Sequence, residues 1–521
     1  MQPRRVAVLG GGPGGLYAAR LLKLAYPSCE VVVHEQGEPD TTFGFGVGLA
    51  AGTQRKLEAA DPDTLRDLVA AGLRHDMTMQ VGRHVTRVRN DRLIGIARTE
   101  LLAVLQRHAE KAGVVLEFGA RRTAAELDAD VVVAADGVGS ATRENGPFGG
   151  RIEVGKGLYL WCGTGFALDD AVFAPVETEH GVFVTHAYPY SGGPCSGGPC
   201  SGGHSSGGHS TFLVETDEET WRRAGFDAST DATPFDASDE TSLRYLQDVF
   251  AEQLRGQPLI GNRTRWLRFR TVRCDRWSAG NTVLLGDAAH TAHFSIGSGT
   301  KLAMEDAIGL VEALRAEPDR AAAFARYEAV RRPAVERLQE LARRSQLWWE
   351  SFPARLHLPV ERLMVAYMSR AGNVPLDRFA QTSPDVVGAA LAQYAGEPAD
   401  VAPEDLTSWV LDRPLTRGER RFPCRRATPD LVALNSALDD PWSGAGDALV
   451  ARARGTEGVR LTGPADRSAV LTRLDLAERI GMETGVLTAV EAPAGVRDDL
   501  AAGLVSGRTD LVVLTDEQET S

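Results

Sequence analysis

The sequence predicts an α/β chain in which a parallel sheet, covered by helices on both faces, is interrupted by an antiparallel sheet and followed by a further α/β region. Three observations lead to this. First, "RRVAVLG", "EVVVHE", "ADVVVAADG" and "NTVLLGD" are continuous apolar runs that end in glycine or a carboxylate, the pattern of strands buried on both faces. Second, from about 151 to 273 the texture changes to short alternating runs such as "GLYLWCGT", "GVFVTHAYPY" and "STFLVETDE", which suggest an antiparallel sheet. Third, beyond residue 375 "LTRLDLAERIGMETGVLTAVEAP" and "DDLAAGLVSGRTDLVVLTDE" alternate helix and strand again. The expected boundaries are 1–150 with 274–375 for the parallel-sheet domain, 151–273 for the antiparallel domain and 376–521 for the C-terminal α/β region.

The elements follow in order. "RRVAVLGGGPGGLYAARLLKLAYPSCEVVVHEQ" reads as strand, glycine turn, helix, strand. Residues 52–72 and 98–112 have helical patterns, and "ADVVVAADGVGSATR" is a buried strand running into a turn. After "NTVLLGD" two helices are predicted, at about 300–315 and 320–350. The 521 residues exceed one ordinary core, and 43% hydrophobic with 24% charged residues is usual for a globular protein.

A net charge of −13 argues against a general nucleic-acid binder. No run of eighteen apolar residues marks a membrane helix, and glycines interrupt the N-terminal apolar stretch too early for a signal peptide. Six scattered cysteines do not make a disulfide framework. A cytoplasmic protein is expected.

The first motif is Gly10-x-Gly12-Pro13-Gly14-Gly15, which follows a strand and opens a helix. Gly10 permits the tight turn, Gly12 lets backbone approach a pyrophosphate, and Gly15 lets helix and strand pack closely. The helix N-terminus offers free N–H groups to phosphates. "VVVHE" ends in Glu35, an acidic residue placed to accept hydrogen bonds from ribose hydroxyls. A dinucleotide site is predicted. The motif alone does not separate FAD from NAD.

Two more motifs do. "ADGVGSATR" holds Asp136-Gly137-x-x-Ser140-x-x-Arg143 after a strand, and "LLGDAAH" holds Gly286-Asp287 after another. With the glycine motif and Glu35, these resemble the three fingerprints of the single-component FAD-dependent aromatic hydroxylases. The resemblance spans about 1–375 and implies a Rossmann-like FAD-binding domain interleaved with an antiparallel β-sheet substrate domain. It implies that Asp287 reaches the ribityl–pyrophosphate region, and that the loop bearing Gly297, Gly299 and Thr300 passes close to the flavin. The helix that follows would direct its positive end at the flavin ring. Arg98, which heads "ARTELLAVL", matches an arginine near FAD, and Asp136 matches a carboxylate that supports the FAD and NADPH region.

"HFSIGSGTKLAMEDAI" refines the resemblance. His293 and Phe294 stand where many hydroxylases carry Pro-Pro, and Lys301 replaces a frequent Asn. With "FGFGVG", "YLWCGT" and "HAYPYS…STFLVE", this is similar to the group of salicylyl-CoA 5-hydroxylases and 2-aminobenzoyl-CoA monooxygenases. The implied reaction is hydroxylation of an aromatic acyl-CoA with NADH or NADPH and O2 through a flavin C4a-hydroperoxide. Salicylyl-CoA is the favoured substrate; an anthraniloyl-CoA or an indole is the alternative. A flavin-fold escort protein is the non-enzymatic alternative, and no W-x-W-x-I-P stretch points to a halogenase. His293 is the catalytic candidate, since an imidazole titrates near working pH.

A CoA handle needs phosphate anchors. Arg263, Arg265, Arg268, Arg270, Arg273 and Arg276 form one cluster, and Arg83, Arg87, Arg89 and Arg92 another; either is also readable as a solvated strand edge. His186 with Tyr188, and Tyr159 with Trp161, share strand faces and are candidates for the aromatic pocket or for core packing. The repeat "SGGPCSGGPCSGGHSSGGHS", 191–210, reads as an insertion that expands a hairpin. Its Cys195, Cys200, His204 and His209 would be the ligands if it held zinc, though metal is not the expectation. Oligomeric state is left open.

Overall fold

The computed structural model describes residues 2–39, 44–90, 93–192, 208–297, 299–426 and 430–515. They form two compact units, 1–78 with 90–350, and 79–89 with 351–521.

The first unit holds both predicted sheets. Its parallel sheet has the strand order 278–279, 282–284, 131–134, 5–9, 30–34, 115–117. Arg5–Leu9 lies at the centre, paired in parallel with Glu30–His34 and Val131–Ala134. Thr282–Leu284 continues it in parallel beyond Val131–Ala134. These strands are apolar on both faces because helices cover both. Helix Pro13–Ala25 packs between helices Arg98–Ala112 and Gly299–Ala316.

Between Ala134 and Thr282 the chain builds the antiparallel sheet. Gly150–Thr164 pairs with Trp266–Cys274 on one side and His209–Thr216 on the other. Gly181–Ser191 and Ala171–Thr178 extend the second side. Alternation sorts the faces, as period two requires. Leu158, Leu160 and Cys162 join a core with Phe183, Phe212 and Phe250. Tyr159 and Trp161 point to the opposite face.

Helices at 218–254 supply the other side of that core. The alternating texture conceals them, although Asp217 and Asp239 each cap a helix by accepting from the backbone N–H three residues on. The expected helix over 52–72 is two helices, Ala51–Ala60 and Pro62–Ala71. The break falls at Asp61-Pro62. Asp61 accepts from the Thr64 N–H and hydroxyl, and Arg20 binds its carboxylate at 3.0 Å.

The ends of the 191–210 repeat are anchored, with Ser191 paired to His209 and Pro189 to Ser210. Cys195, Cys200 and His204 lie outside the described residues. His209 stacks on Tyr190.

The second unit is α/β, as the C-terminal pattern predicts. Strands Val432–Asn435, Gly458–Thr462, Leu487–Ala492 and Leu511–Leu514 form a parallel sheet in sequential order. Helices Gly444–Ala453, Arg467–Thr484 and Arg497–Val505 connect them. The unit begins at Ser351, upstream of the composition change near 375, because helix Val360–Ser369 packs on helices Pro384–Ala395 and Arg497–Val505. A buried Arg355–Glu478 pair, with contacts of 2.7 and 2.5 Å, fastens the leading segment to Arg467–Thr484. Among the described residues no helix is long and apolar enough to cross a membrane.

Candidate active site

The glycine motif divides its labour. Gly10 has φ +99°, and a Cβ there would lie 2.3 Å from the Ala135 carbonyl oxygen. A Cβ on Gly15 would lie 2.1 Å from the Gly10 oxygen, and one on Gly14 would strike Leu285. These three glycines serve close packing. A Cβ on Gly12 would meet nothing within 4 Å. Gly12 begins helix Pro13–Ala25, whose first turn has no side-chain cap. Its N–H groups therefore lack the partner that a Ser or Asp cap would supply.

Gly12, Pro13 and Gly14 form one wall of a cavity of about 830 Å³. Gly286, Asp287, Gly297, Gly299 and Thr300 line it too, so helix Gly299–Ala316 presents its N-terminal residues there. Arg98, the first residue of helix Arg98–Ala112, lines it as well. Glu35 accepts from the Gly11 N–H at 2.6 Å and the Gly37 N–H at 2.7 Å. Its carboxylate thus stands directly behind the glycine turn. An uncapped helix N-terminus, an open glycine cradle and a carboxylate at the end of the second strand fit the pyrophosphate and ribose of FAD.

The Gly286-Asp287 turn is held from two sides. Arg143 is buried and donates to the carbonyls of Val138 at 2.6 Å and Ala288 at 3.1 Å, tying the second motif to the third. Asp136 accepts from the Ser140 hydroxyl at 2.6 Å and from the Thr142 N–H and hydroxyl at 3.1 and 2.9 Å. It shapes the turn that aims Arg143.

From the other side comes Asp306, fully buried on helix Gly299–Ala316. One of its oxygens takes the Gly286 N–H at 3.2 Å and lies 2.8 Å from His290 Nε2; the other takes Arg331 Nε at 2.8 Å. Arg331 continues to Glu305 at 3.4 Å, which Lys56 meets at 2.6 Å. Burial would raise the Asp306 pKa, but His290 and Arg331 hold it below the ordinary carboxylate value. Asp287, exposed on the cavity lining, is pushed up by desolvation within the cleft, against the pull of His290 and Arg98. Asp306, His290 and Arg331 were not read from the sequence; their pairing links positions far apart in the chain.

The other end of the cavity is aromatic. Tyr159, Trp161, Tyr188 and Phe294 line it. Phe294 meets Tyr159 and Trp161 edge-on, with centroids at 4.9 and 5.9 Å. Burial pushes the Tyr159 and Tyr188 hydroxyls up to about 12, and Tyr188 donates to the Gly46 carbonyl at 2.7 Å. His293 is buried one residue behind Phe294. Its Nδ1 lies 2.9 Å from the Ser295 hydroxyl, and its Nε2 lies 3.7 Å from Glu215. His186 is buried against Trp349, with ring centroids at 4.2 Å.

The arginines are placed unequally. Arg268 and Arg270 line the cavity, Arg268 also pairing with Glu218 at 2.7 Å. Arg265 turns away to the Thr230 carbonyl at 2.7 Å and stacks over Phe235. Arg83, Arg87 and Arg89 belong to the other compact unit, and Arg92 lies outside the described residues.

A glycine cradle that fits FAD at one end and an aromatic pocket at the other are the features expected of a flavoprotein that acts on ring compounds, and comparison with known proteins specifies which kind. A family described as "FAD binding domain" matches residues 96–342. Over 358 residues the chain is 44% identical to a salicyloyl-CoA 5-hydroxylase of Streptomyces, across 67% of this chain and 66% of that protein. It thus spans about two thirds of that relative. It is 38% identical over 375 residues to the 3-hydroxy-4-methyl-anthranilyl-(aryl-carrier protein) 5-monooxygenase of Streptosporangium sibiricum, covering 71% of this chain and 95% of that one. Among solved structures, 2-methyl-3-hydroxypyridine-5-carboxylic acid oxygenase shares the fold, with TM-score 0.51 at 19% identity over 74% of this chain and 97% of the other. The chain belongs to the single-component FAD-dependent aromatic hydroxylases, and it is a monooxygenase rather than an escort protein.

Two predictions follow from this geometry. Glu35→Ala should weaken FAD binding by about 1.5–3 kcal/mol, the loss of hydrogen bonds to a charged acceptor, as read by flavin titration of apoprotein; unchanged affinity would remove Glu35 from the site. Asp306→Asn should destabilise the protein at neutral pH by up to about 3–5 kcal/mol, because it removes the nearer of Arg331's two buried carboxylate partners and leaves it Glu305 at 3.4 Å. The folded pKa of Asp306 lies below its ordinary 3.8. Its stabilisation is therefore complete above that pH and is lost as pH falls through the folded value. Urea unfolding at a series of pH values should show a shallower acid decline in the variant.

Proposed function

We propose that the protein hydroxylates an aromatic acyl-CoA, with salicylyl-CoA going to 5-hydroxysalicylyl-CoA (gentisyl-CoA), using NADH or NADPH and O2. The observation that carries the reading is a single cavity with a glycine cradle at one end, a wall of Tyr159, Trp161 and Phe294 at the other, and Arg268 and Arg270 on its lining. The 44% identity to a salicyloyl-CoA 5-hydroxylase supports this acyl group. The relative that acts on a substituted anthranilyl carrier keeps an anthraniloyl thioester as the second reading.

Bound FAD supplies the reduction of O2 and the transfer of one oxygen atom to the ring. The protein supplies the rest. The N–H groups of Gly12 and Gly14 would hold the pyrophosphate, Glu35 the ribose, and Arg98 and Asp287 the region between phosphate and ring. Asp136 acts through Arg143, and the N-terminal turn at Gly297, Gly299 and Thr300 offers its positive end to the flavin. Tyr159, Trp161 and Phe294 hold the substrate ring and exclude water. Arg270, exposed at the cavity, takes the CoA phosphates together with Arg268.

Anaerobic reduction of the enzyme-bound flavin by NADH or NADPH tests this, with salicylyl-CoA, anthraniloyl-CoA and free salicylate as effectors. Salicylyl-CoA should accelerate reduction and be hydroxylated; equal turnover of free salicylate would refute a CoA handle. Arg270→Glu should raise KM for the thioester more than it lowers kcat, since handle contacts act alike on ground and transition states.

His293 adjoins this pocket through Phe294, and a chemical role for it makes a separate prediction. His293→Ala should keep FAD and effector-stimulated reduction, but release hydrogen peroxide in place of product. Wild-type coupling in that variant would leave His293 a packing residue.

A further inference from the structure

Two arginines of the second unit are brought together without a carboxylate for either. Arg362 lies on helix Val360–Ser369, and Arg425 follows strand Arg420–Phe422. They grip the two ends of one turn, between helix Arg497–Val505 and strand Leu511–Leu514. Arg362 Nε donates to the Val505 carbonyl at 2.8 Å, and Arg425 Nη1 donates to the Asp510 carbonyl at 3.1 Å. The Arg425 backbone is pinned as well: its N–H donates to the Leu411 carbonyl and its own carbonyl accepts from the Val512 N–H, both at 2.9 Å. The Arg425 guanidinium lies 4.8 Å from the ring centroid of Tyr394, on helix Pro384–Ala395, which packs on the helix of Arg362. Arg413 is the third cation acting on Tyr394.

The charges here do not balance. Residues 413–426 carry six arginines against one glutamate, in a chain whose net charge is −13. The neighbouring carboxylates are engaged elsewhere. Asp510 takes Arg417 at 2.6 Å, Asp412 takes Arg426 at 2.9 Å, Glu361 takes the Gln393 amide at 2.6 Å, and Glu397 serves Arg413 at 3.0 Å. The Tyr394 phenol does not neutralise them, because burial pushes it up to about 12 and its O–H donates to the Val410 carbonyl at 3.1 Å. Burial and the repulsion of Arg425 hold Arg362 below the usual guanidinium value. A helix end offers roughly half a negative charge, so the end at Val505 leaves most of two positive charges unanswered. Donors are left over too. A guanidinium has several N–H groups, yet among the described residues Arg362 and Arg425 each make one side-chain hydrogen bond. The Nε atoms of Arg425 and Arg413 are buried and have no partner there. Repelling cations with idle, partly buried donors are the complement of an anion that has more than one charge and several acceptor oxygens.

We propose that Arg362 and Arg425, flanked by Arg413, bind a phosphate group, carried by inorganic phosphate or by a phosphorylated small molecule. Each arginine turns its planar fork to the oxygens of the same phosphate, and the negative charge between them cancels the repulsion of the pair. A lone carboxylate brings a single charge and leaves part of the excess in place. The three arginines belong to the second unit, whereas the cofactor cavity with Arg268 and Arg270 belongs to the first. The site is therefore additional to the phosphate contacts of the cofactor and of a CoA thioester. Because the two arginines hold opposite ends of the turn 505–510, the bound anion also fastens helix Val360–Ser369 and the segment at Arg425 to that turn.

The test is thermal unfolding and phosphorus NMR of the whole, FAD-saturated chain in inorganic phosphate, against chloride at equal ionic strength. Phosphate should raise the unfolding midpoint of the wild type and broaden its own resonance, whereas chloride leaves the midpoint where it is. Arg362→Gln and Arg425→Gln should keep their flavin and bind phosphate about 10-fold to 100-fold more weakly, the effect of losing charge-assisted hydrogen bonds. In chloride they should unfold no earlier than the wild type, since each removes a repulsion. Arg425→Lys should keep part of the response, and Arg270→Glu, in the cavity of the first unit, should keep all of it. Ribose 5-phosphate separates the two sources: binding tighter than that of inorganic phosphate assigns the site to a phosphorylated molecule, and equal binding assigns it to phosphate itself. A wild type that responds alike to both salts would overturn the site. So would a response lost in Arg270→Glu instead, or glutamine variants that unfold earlier by the same margin in both salts, which would leave the arginines as caps of the turn. Should Arg425→Gln fail to fold, Arg362→Gln decides, and the comparison of salts on the wild type needs neither.

Discussion

The buried carboxylate of Asp306 is the contact on which the architecture turns. It gathers the Gly286 amide, the His290 ring and the Arg331 guanidinium within 3.2 Å. These groups come from the turn after a parallel strand, the loop that follows it, and the long helix Arg320–Glu350. A charge so deeply buried is tolerated only when its partners are complete. Completing them fixes where the strand ends and where the next helix begins. The cofactor wall and the loop that carries His293 and Phe294 are therefore set by one electrostatic condition. Arg143 does the same from the other flank, with carbonyls in place of a carboxylate.

The two ends of the cavity are built on different physical terms. The cofactor end consists of absences: no side chain at Gly12 and no cap on the helix, so that backbone dipoles face the ligand. The substrate end consists of bulk, with aromatic rings at edge-to-face distances that leave little room for adjustment. The first suits a cofactor shared by many reactions. The second is where, on the proposed function, selectivity among ring substrates would be decided.

Much of this was legible in the sequence. Continuous apolar runs marked the parallel strands because both of their faces are buried, and alternation placed Tyr159 and Trp161 opposite Leu158 and Leu160. The glycine spacing located the helix N-terminus. What escaped was of two kinds. Some is local: the Asp61-Pro62 cap that splits a helix, and the capped helices at 218–254 that interrupt an alternating texture. The rest was long-range. Asp306 and Arg331 become partners only once helix packing is known, and no spacing in the chain announces them.

The substrate sheet is joined to the parallel sheet by Gly150–Thr164 and Trp266–Cys274, which are hydrogen-bonded to each other from Gly150–Cys274 to Leu160–Trp266, with one irregularity between Val154 and Leu158. A single strand would be a tether. Two paired strands are a beam, which resists both bending and twisting. The ribbon also returns to its origin, since Val131–Ala134 and Thr282–Leu284 lie side by side. The aromatic wall is therefore cantilevered from the sheet that carries the cofactor wall. Its stand-off is determined by the fold before any ligand arrives, so the ordering cost of binding falls on the incoming molecule rather than on the protein.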